Sequence, residues 1–191
     1  LGQDIDLEAK QSVQVAYITA AAPSRRKVLD LAGRYVVWTA ISRAFSQTRS
    51  QSERELRQLE MTTRELELVQ VLLSLLLYSH AALRGDPSVL GSNQKGQSGL
   101  WPFAISGDYP IMLVRIRSDK GLPLVQELVR AHTYWRARGL RIDLVILNLM
   151  EGGYAQELHG RLYRLLTHTN SDAWLQQRGG IFILNNRQLG K

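Results

Sequence analysis

The sequence predicts an α/β fold: a small parallel three-stranded sheet in β-α-β-α-β order, covered by helices. A helical segment and a short N-terminal β piece precede it. Three observations carry this reading. Near-continuous apolar runs recur at residues 111–116, 142–147 and 180–184. Such runs mark strands buried on both faces, which is the habit of parallel sheets. Between them lie two stretches of helical period, each long enough for a crossover connection. The chain of 191 residues is also rich enough in hydrophobic residues, at 45%, to fill a core around such a sheet.

In chain order, residues 11–20 alternate, with Val13, Val15 and Tyr17 on one side and Gln14 and Ala16 on the other. Alternation of this kind reads as a strand. One hairpin at most fits in residues 1–20, and an isolated hairpin is marginal in water. These strands are therefore expected to belong to a sheet completed elsewhere in a larger protein. Residues 23–84 read as helical. Ser24 is the expected N-cap of a first helix, with Val28, Leu31, Ala32 and Tyr35 inward. A second helix is expected from Thr39 to about Leu59, and its polar middle, residues 46–55, makes it either long and solvated or broken. Thr62-Thr63-Arg64-Glu65 matches a capping box. It opens a third helix to about Ala82, whose face Leu66, Val69, Leu73, Leu76 and Leu77 marks it as a buried core helix.

Residues 85–109 are a Gly/Pro-rich loop, carrying Gly85, Pro87, Gly91, Gly96, Gly99, Pro102 and Gly107. Loops of this length inside a compact domain are usually functional or sit at an interface. Residues 110–191 form the α/β module. Its first helix is expected over residues 122–138, with Pro123 in the first turn and Gly139 as the stop. Leu124, Val125, Leu128, Val129 and Trp135 face inward. The second runs from Tyr154 to about His168, with Tyr154, Leu158, Leu162 and Leu165 in register. Leu113, Leu144 and Ile183 are expected core positions, each costing about 2–5 kcal/mol on truncation to Ala.

Composition narrows the function. Lys and Arg number 24 against 17 Asp and Glu, a net charge of +7, but the basic residues are scattered rather than striped. This predicts a solvated basic surface or one facing an acidic neighbour, and no nucleic acid partner. Cysteine is absent, which removes disulfides, thiolate metal clusters and thiol nucleophiles. The start, Leu-Gly-Gln, has no basic or apolar run of a signal peptide. The most apolar stretch, residues 66–78, falls short of the ~20 residues that span a bilayer, so no direct membrane insertion is expected.

No cofactor motif appears. After Ile116 comes Arg117-Ser118-Asp119-Lys120-Gly121-Leu122-Pro123, which is neither a dinucleotide fingerprint nor a phosphate loop. There is no nucleophile elbow. His80, His132, His159 and His168 are not spaced as metal ligands, so neither metal nor cofactor is expected. Two groups of candidate residues remain. Asp119, Asn148 and Asn185 follow the three strands, where open parallel sheets bind ligands, although loops after strands are polar in any case. The loop 97–110 offers Trp101, Phe103 and Tyr109 as flat apolar faces, with Gln97, Ser106 and Asp108 able to bond hydroxyls. That loop is either a carbohydrate-binding surface or a plug folded under the sheet, with Trp101 in the core or in contact with another domain.

The same loop carries a family resemblance. Gln97-Ser98-Gly99-Leu100-Trp101-Pro102, Ile105-Ser106-Gly107-Asp108 and Pro110-Ile111-Met112-Leu113-Val114-Arg115-Ile116 resemble a stretch of bacterial cyclic β-1,2-glucan synthases of the NdvB type. So do Leu128-Val129-Arg130-Ala131-His132-Thr133-Tyr134-Trp135-Arg136 and Asp143-Leu144-Val145-Ile146-Leu147-Asn148. Glu55-Leu56-Arg57-Gln58-Leu59 and Leu75-Leu76-Leu77-Tyr78 fit upstream. The resemblance covers most of the chain, is specific over residues 94–148 and fades towards the end. Phe103-Ala104 and Tyr109 depart from the family pattern, which has Tyr-Gly and Leu there.

The resemblance implies a parent that is a very large bacterial inner-membrane protein. That parent would join a glucosyltransferase using UDP-glucose, a cyclising domain and a phosphorylase-like region, and would make periplasmic cyclic β-1,2-glucan. Residues 1–22 would be the tail of a truncated β-sandwich. The segment itself would be a non-catalytic connector on the cytoplasmic side, its partners the neighbouring domains of the same polypeptide. The alternative is a β-glucan-binding module using the 97–110 loop. No residue matches a catalytic motif of the family, so none is carried over.

Overall fold

The computed structural model describes residues 4–78 and 80–189. Expectations at residues 1–3, 79, 190 and 191 lie outside the described residues. The chain divides into two compact units, Leu1–Glu55 and Leu56–Lys191.

In the first unit, residues 4–22 form no strand, so the expected N-terminal β piece is absent from the described residues. A strand exists by pairing, and the backbone of residues 12–22 has no hydrogen-bond partner among the described residues. Val13, Val15, Tyr17 and Ile18 consequently stand exposed. Helix α1 (Arg25–Gly33) begins as expected: the Ser24 hydroxyl accepts from the Lys27 amide at 3.4 Å. Val28, Leu31 and Ala32 are half-buried, whereas Tyr35 lies beyond the helix end and is exposed. Helix α2 (Trp38–Gln58) is continuous through its polar middle, with residues 46–54 all exposed.

In the second unit, the capping box forms. The Thr62 hydroxyl accepts from the Glu65 amide at 3.2 Å, and the Glu65 carboxylate accepts from the Thr62 amide at 2.6 Å. Helix α3 (Thr63–Leu77) stops before the expected position near Ala82. It is not a buried core helix. Val69 alone is fully buried, while Leu66, Leu72, Leu73 and Leu76 pack against the core at its margin. Leu68, Val71, Leu77 and Tyr78 are exposed. The helix is apolar on more of its circumference than one packing face covers, and the sequence pattern alone could not say which side stayed open. A short helix α4 (Pro87–Gly91) follows, capped by Asp86, whose Oδ1 accepts from the Ser88 amide at 2.8 Å.

The α/β module is as expected in class and order. Strands β1 (Ile111–Ile116), β2 (Asp143–Asn148) and β3 (Ile181–Asn185) lie in the order β1-β2-β3, all parallel. Helices α5 (Leu122–Ala137) and α6 (Tyr154–His168) make the crossovers. The register pairs Met112 with Leu144 and Leu144 with Ile181, so these three share one face. On that face they join Val114, Ile116 and Ile146, against Val125 and Val129 of α5 and Leu158, Leu162 and Leu166 of α6. Sequential strand order with right-handed crossovers puts both helices on one side.

Three expectations about the core are corrected. Beta strand β1 is buried on alternate residues only, and Leu113 is 56% exposed. It has just one covered face, because the loop residues that roof the second face reach β2 and β3 and not β1. Ile183 is only partly buried. On the helices, Leu124 and Tyr154 are exposed, Tyr154 as the first residue of α6, one turn before the buried Leu158. Helix α3 packs on the same side as α5 and α6, in the same cluster. The second face, Val145, Leu147, Phe182 and Leu184, is covered by Ile105 with Leu100 and Phe103 of the loop.

Candidate functional site

The strand carboxyl ends bring Asn148 and Asn185 into register as neighbours. Asn148 is wholly buried and spends its amide internally. Its Nδ2 donates to the Ala155 carbonyl at 2.9 Å and its Oδ1 accepts from the Met150 amide at 2.9 Å. It latches the turn from β2 into α6. The Asn185 backbone amide donates to Gln188 Oε1 at 2.8 Å, while its side-chain Oδ1 is buried without a protein partner. Asp119 does not join them. It is held by Arg161 at 2.5 Å, and the same guanidinium takes Glu157 at 2.6 Å. Because the strand order never reverses, the sheet has no switch-point crevice of the kind that receives ligands in open α/β folds.

The loop is organised differently. Residues Gln97–Phe103 wind into a 3₁₀ turn that ends at Ala104 with φ +61. Leu100, Phe103 and Ile105 turn under the sheet, and Ile105, at 3% exposure, is the plug. Trp101 is not the plug: it is 63% exposed. One short stretch of loop thus packs three side chains against the sheet and leaves one large indole in solvent.

Around that indole the polar residues converge. Gln97 Nε2 donates to the Ser106 carbonyl at 2.8 Å and to Asp108 Oδ1 at 3.0 Å. The Ser106 hydroxyl accepts from the Asp108 amide at 3.3 Å. Asp108 Oδ2 pairs with Arg178. Desolvation pushes the Asp108 carboxyl up, but Arg178, Gln97 and Ser106 together hold it below its ordinary value. Gly107 has φ +76, and a Cβ there would lie 2.8 Å from Gln97 Cγ, so only glycine lets the loop close this tightly. Gln97, Trp101, Ser106, Asp108 and Arg178, with Ala104 and Ile105 as floor, line a shallow open depression of about 450 Å³.

Four of the six loop residues singled out from sequence therefore share one surface. Phe103 and Tyr109 do not line it. Phe103 packs, partly buried, against the core, and the Tyr109 hydroxyl accepts from Arg141 Nη1 at 3.1 Å. Arg178 was missed because it lies far along the chain, in the turn before β3. The Gly179-Gly180 pair beside it was the only sequence sign of a special turn.

That turn is fixed from beneath by buried ionisable groups. The Gly179 amide donates to Asp143 Oδ1 at 2.7 Å. The Gly179 carbonyl accepts from Arg136 Nη1 at 2.7 Å and lies 3.1 Å from His132 Nε2, which is equally 3.1 Å from the Ile142 carbonyl. Arg136 also stacks on Trp174, 3.4 Å from the ring centre. Burial lowers the His132 pKa, against the two carbonyl contacts that raise it. Burial raises that of Asp143, against the Gly179 and Gly180 amides that lower it. Neither was a sequence candidate: a histidine within a helix and an aspartate opening a strand carry no distinctive spacing.

No protein-family model matches the chain. It is 35% identical over 158 residues, 83% of its length, to the cyclic beta-(1,2)-glucan synthase NdvB of Rhizobium meliloti (strain 1021). The matched stretch is 6% of that protein. The resemblance read from the loop and strand motifs thus extends over most of the chain. Among the described residues, no helix is long and apolar enough to cross a membrane.

Proposed function

We propose that this chain, similar to one short stretch of a much longer glucan synthase, is a non-catalytic connector module of a cyclic β-1,2-glucan synthase. The parent would transfer glucose from UDP-glucose at the bacterial inner membrane, and this segment would sit on the cytoplasmic side among its neighbouring domains. One observation carries the reading. At the place where parallel sheets keep their chemistry, Asp119 is tied to Arg161 and Asn148 is consumed by backbone bonds, with no switch point between strands. The test is to assay the 191-residue chain for glucosyl transfer, cyclisation and phosphorolysis of β-1,2-glucan. The expected result is no turnover by any of the three. Turnover abolished by Asp119→Asn or Asn185→Ala would make the segment an enzyme.

A second reading attaches to a different part of the molecule: the 97–110 loop as a β-glucan contact surface. It is favoured by Trp101, which remains 63% exposed while Leu100, Phe103 and Ile105 of the same loop pack against the sheet. An aromatic ring exposed to water beside hydrogen-bonding groups is a platform for a ligand that is apolar on one face and polar at its edge.

A further inference from the structure

The geometry points to a clamp in the Trp101 depression that recognises a pair of adjacent hydroxyls on a pyranose ring stacked over the indole, with Asp108 and Arg178 as the two jaws. This rests on the β-glucan-contact reading and makes it specific.

The argument starts from what the polar groups have left to offer. Asp108 Oδ1 accepts one bond, from Gln97, and Oδ2 is engaged by Arg178. A carboxylate oxygen accepts two bonds or so, leaving acceptor sites on the open side of the depression. Arg178 uses one terminal nitrogen on Asp108, and its side chain is 65% exposed. A guanidinium has five N–H donors in a fixed plane, so donors remain beside those acceptor sites. An acceptor and a donor held side by side match two neighbouring hydroxyls, one giving its proton to Asp108 and the next accepting from Arg178. A lone hydroxyl would use only one jaw.

Asp108 is oriented before any ligand arrives, and Arg178 is already paired with it. Asp108 is set by Gln97 and by the Ser106 hydroxyl against its own amide. Arg178 adjoins Gly179, whose amide and carbonyl are both held by buried side chains. A preorganised site loses little freedom on binding. The depression is shallow and open, which suits a chain passing across it and not a small molecule enclosed within it.

Linkage chemistry then sets the specificity. A β-1,2-linked glucose unit keeps its hydroxyls at carbons 3 and 4 free and adjacent. A β-1,3-linked unit keeps those at carbons 2 and 4, separated by the substituted oxygen. The clamp therefore accepts internal units of the first polymer and not of the second.

The test is a nuclear magnetic resonance titration of the 191-residue chain with cyclic β-1,2-glucan, in which every unit is internal, and with a long linear β-1,3-glucan, in which end units are few, following the indole N–H signals. The wild-type chain is expected to bind the β-1,2-glucan about tenfold more tightly, the consequence of losing one charge-assisted hydrogen bond with the other. Arg178→Gln is expected to remove that preference while leaving residual stacking. Trp101→Ala is expected to abolish binding of both sugars, and Asp108→Asn, nearly equal in shape, reports on the clamp if Arg178→Gln disturbs the turn. Equal affinity for the two sugars in wild type overturns the clamp but leaves the contact-surface reading standing. Absence of binding to either sugar overturns both.

Discussion

At the residue scale, the most demanding features are His132 and Asp143, both buried under the turn that carries Arg178. His132 has a lowered pKa, so the fold favours its neutral form. An unfolded histidine ionises near 6.5, so this contribution is complete above about pH 6.5 and is lost as pH falls through the folded value. Stability should drop on mild acidification by up to about 1.4 kcal/mol per pH unit for this one proton. Asp143, raised by burial, works the opposite way: its contribution is complete below about pH 3.9 and lost as pH rises through its folded value. Urea unfolding from pH 7 to pH 5 checks the sign. His132→Gln should flatten the slope. An unchanged slope in His132→Gln would remove His132 as the cause.

The adjoining glycines make a second prediction at the same scale. A Cβ on Gly180 would fall 2.2 Å from the Trp174 carbonyl oxygen, and Gly179 has φ +67. Alanine at Gly180 meets fixed backbone, which cannot yield as a side chain can. Gly180→Ala should therefore cost roughly 1–3 kcal/mol in thermal or chemical unfolding, the usual cost of forcing atoms into a filled space. By contrast, Gly153 has open space where its Cβ would go, and Gly153→Ala should be near neutral.

At the element scale, β1 and β2 look alike in sequence and behave differently in the sheet. Both are six apolar-rich residues, yet β2 is buried throughout and β1 on alternate positions. The difference comes from the roof over the second face, since Leu100, Phe103 and Ile105 of the loop cover β2 and β3 there but not β1. Leu144→Ala should cost about 2–5 kcal/mol and Leu113→Ala no more than about 0.5 kcal/mol. Equal costs would mean that the exposed face of β1 is covered in solution. The start of α3 offers a smaller test. Thr62→Ala removes the hydroxyl that accepts from Glu65 and should cost about 0.5–2 kcal/mol.

The same contrast explains which parts of the fold were legible. Strand and helix order in residues 110–189 followed from period and length, as did the Ser24 and Thr62 caps, because those signals are local. Layering was not local. Leu124, Tyr154 and Leu68 carry apolar side chains of the right kind, but whether each meets a neighbour depends on what lies opposite. The loop's gathering of Gln97, Trp101, Ser106 and Asp108 was legible because these residues lie within one tight turn. Trp101 as a core plug was one of two alternatives the sequence allowed, and Ile105 fills that place instead. Arg178 needed the sheet itself to bring it across.

At the scale of the whole molecule, the two units differ in what holds them. Every fully buried side chain among the described residues lies in the unit Leu56–Lys191. The unit Leu1–Glu55 shows exposed Val13, Tyr17, Val36, Trp38 and Phe45. Hydrogen exchange should accordingly find residues 12–22 exchanging as an unstructured chain does, and the β2 amides slowest of all. A connector needs a stable middle and surfaces that neighbours can cover, and the proposed role draws on that combination.

The most direct test of that proposed role is kinetic and uses the full-length protein, the proposed synthase. Turnover and thermal midpoint should be measured together for Asp119→Asn, Asn185→Ala and Leu144→Ala. A connector predicts that kcat is retained in the first two, and that Leu144→Ala lowers the midpoint and the amount of folded enzyme. A fall in kcat of about a hundredfold or more in Asn185→Ala, at an unchanged midpoint, would contradict the account and place chemistry at the strand ends.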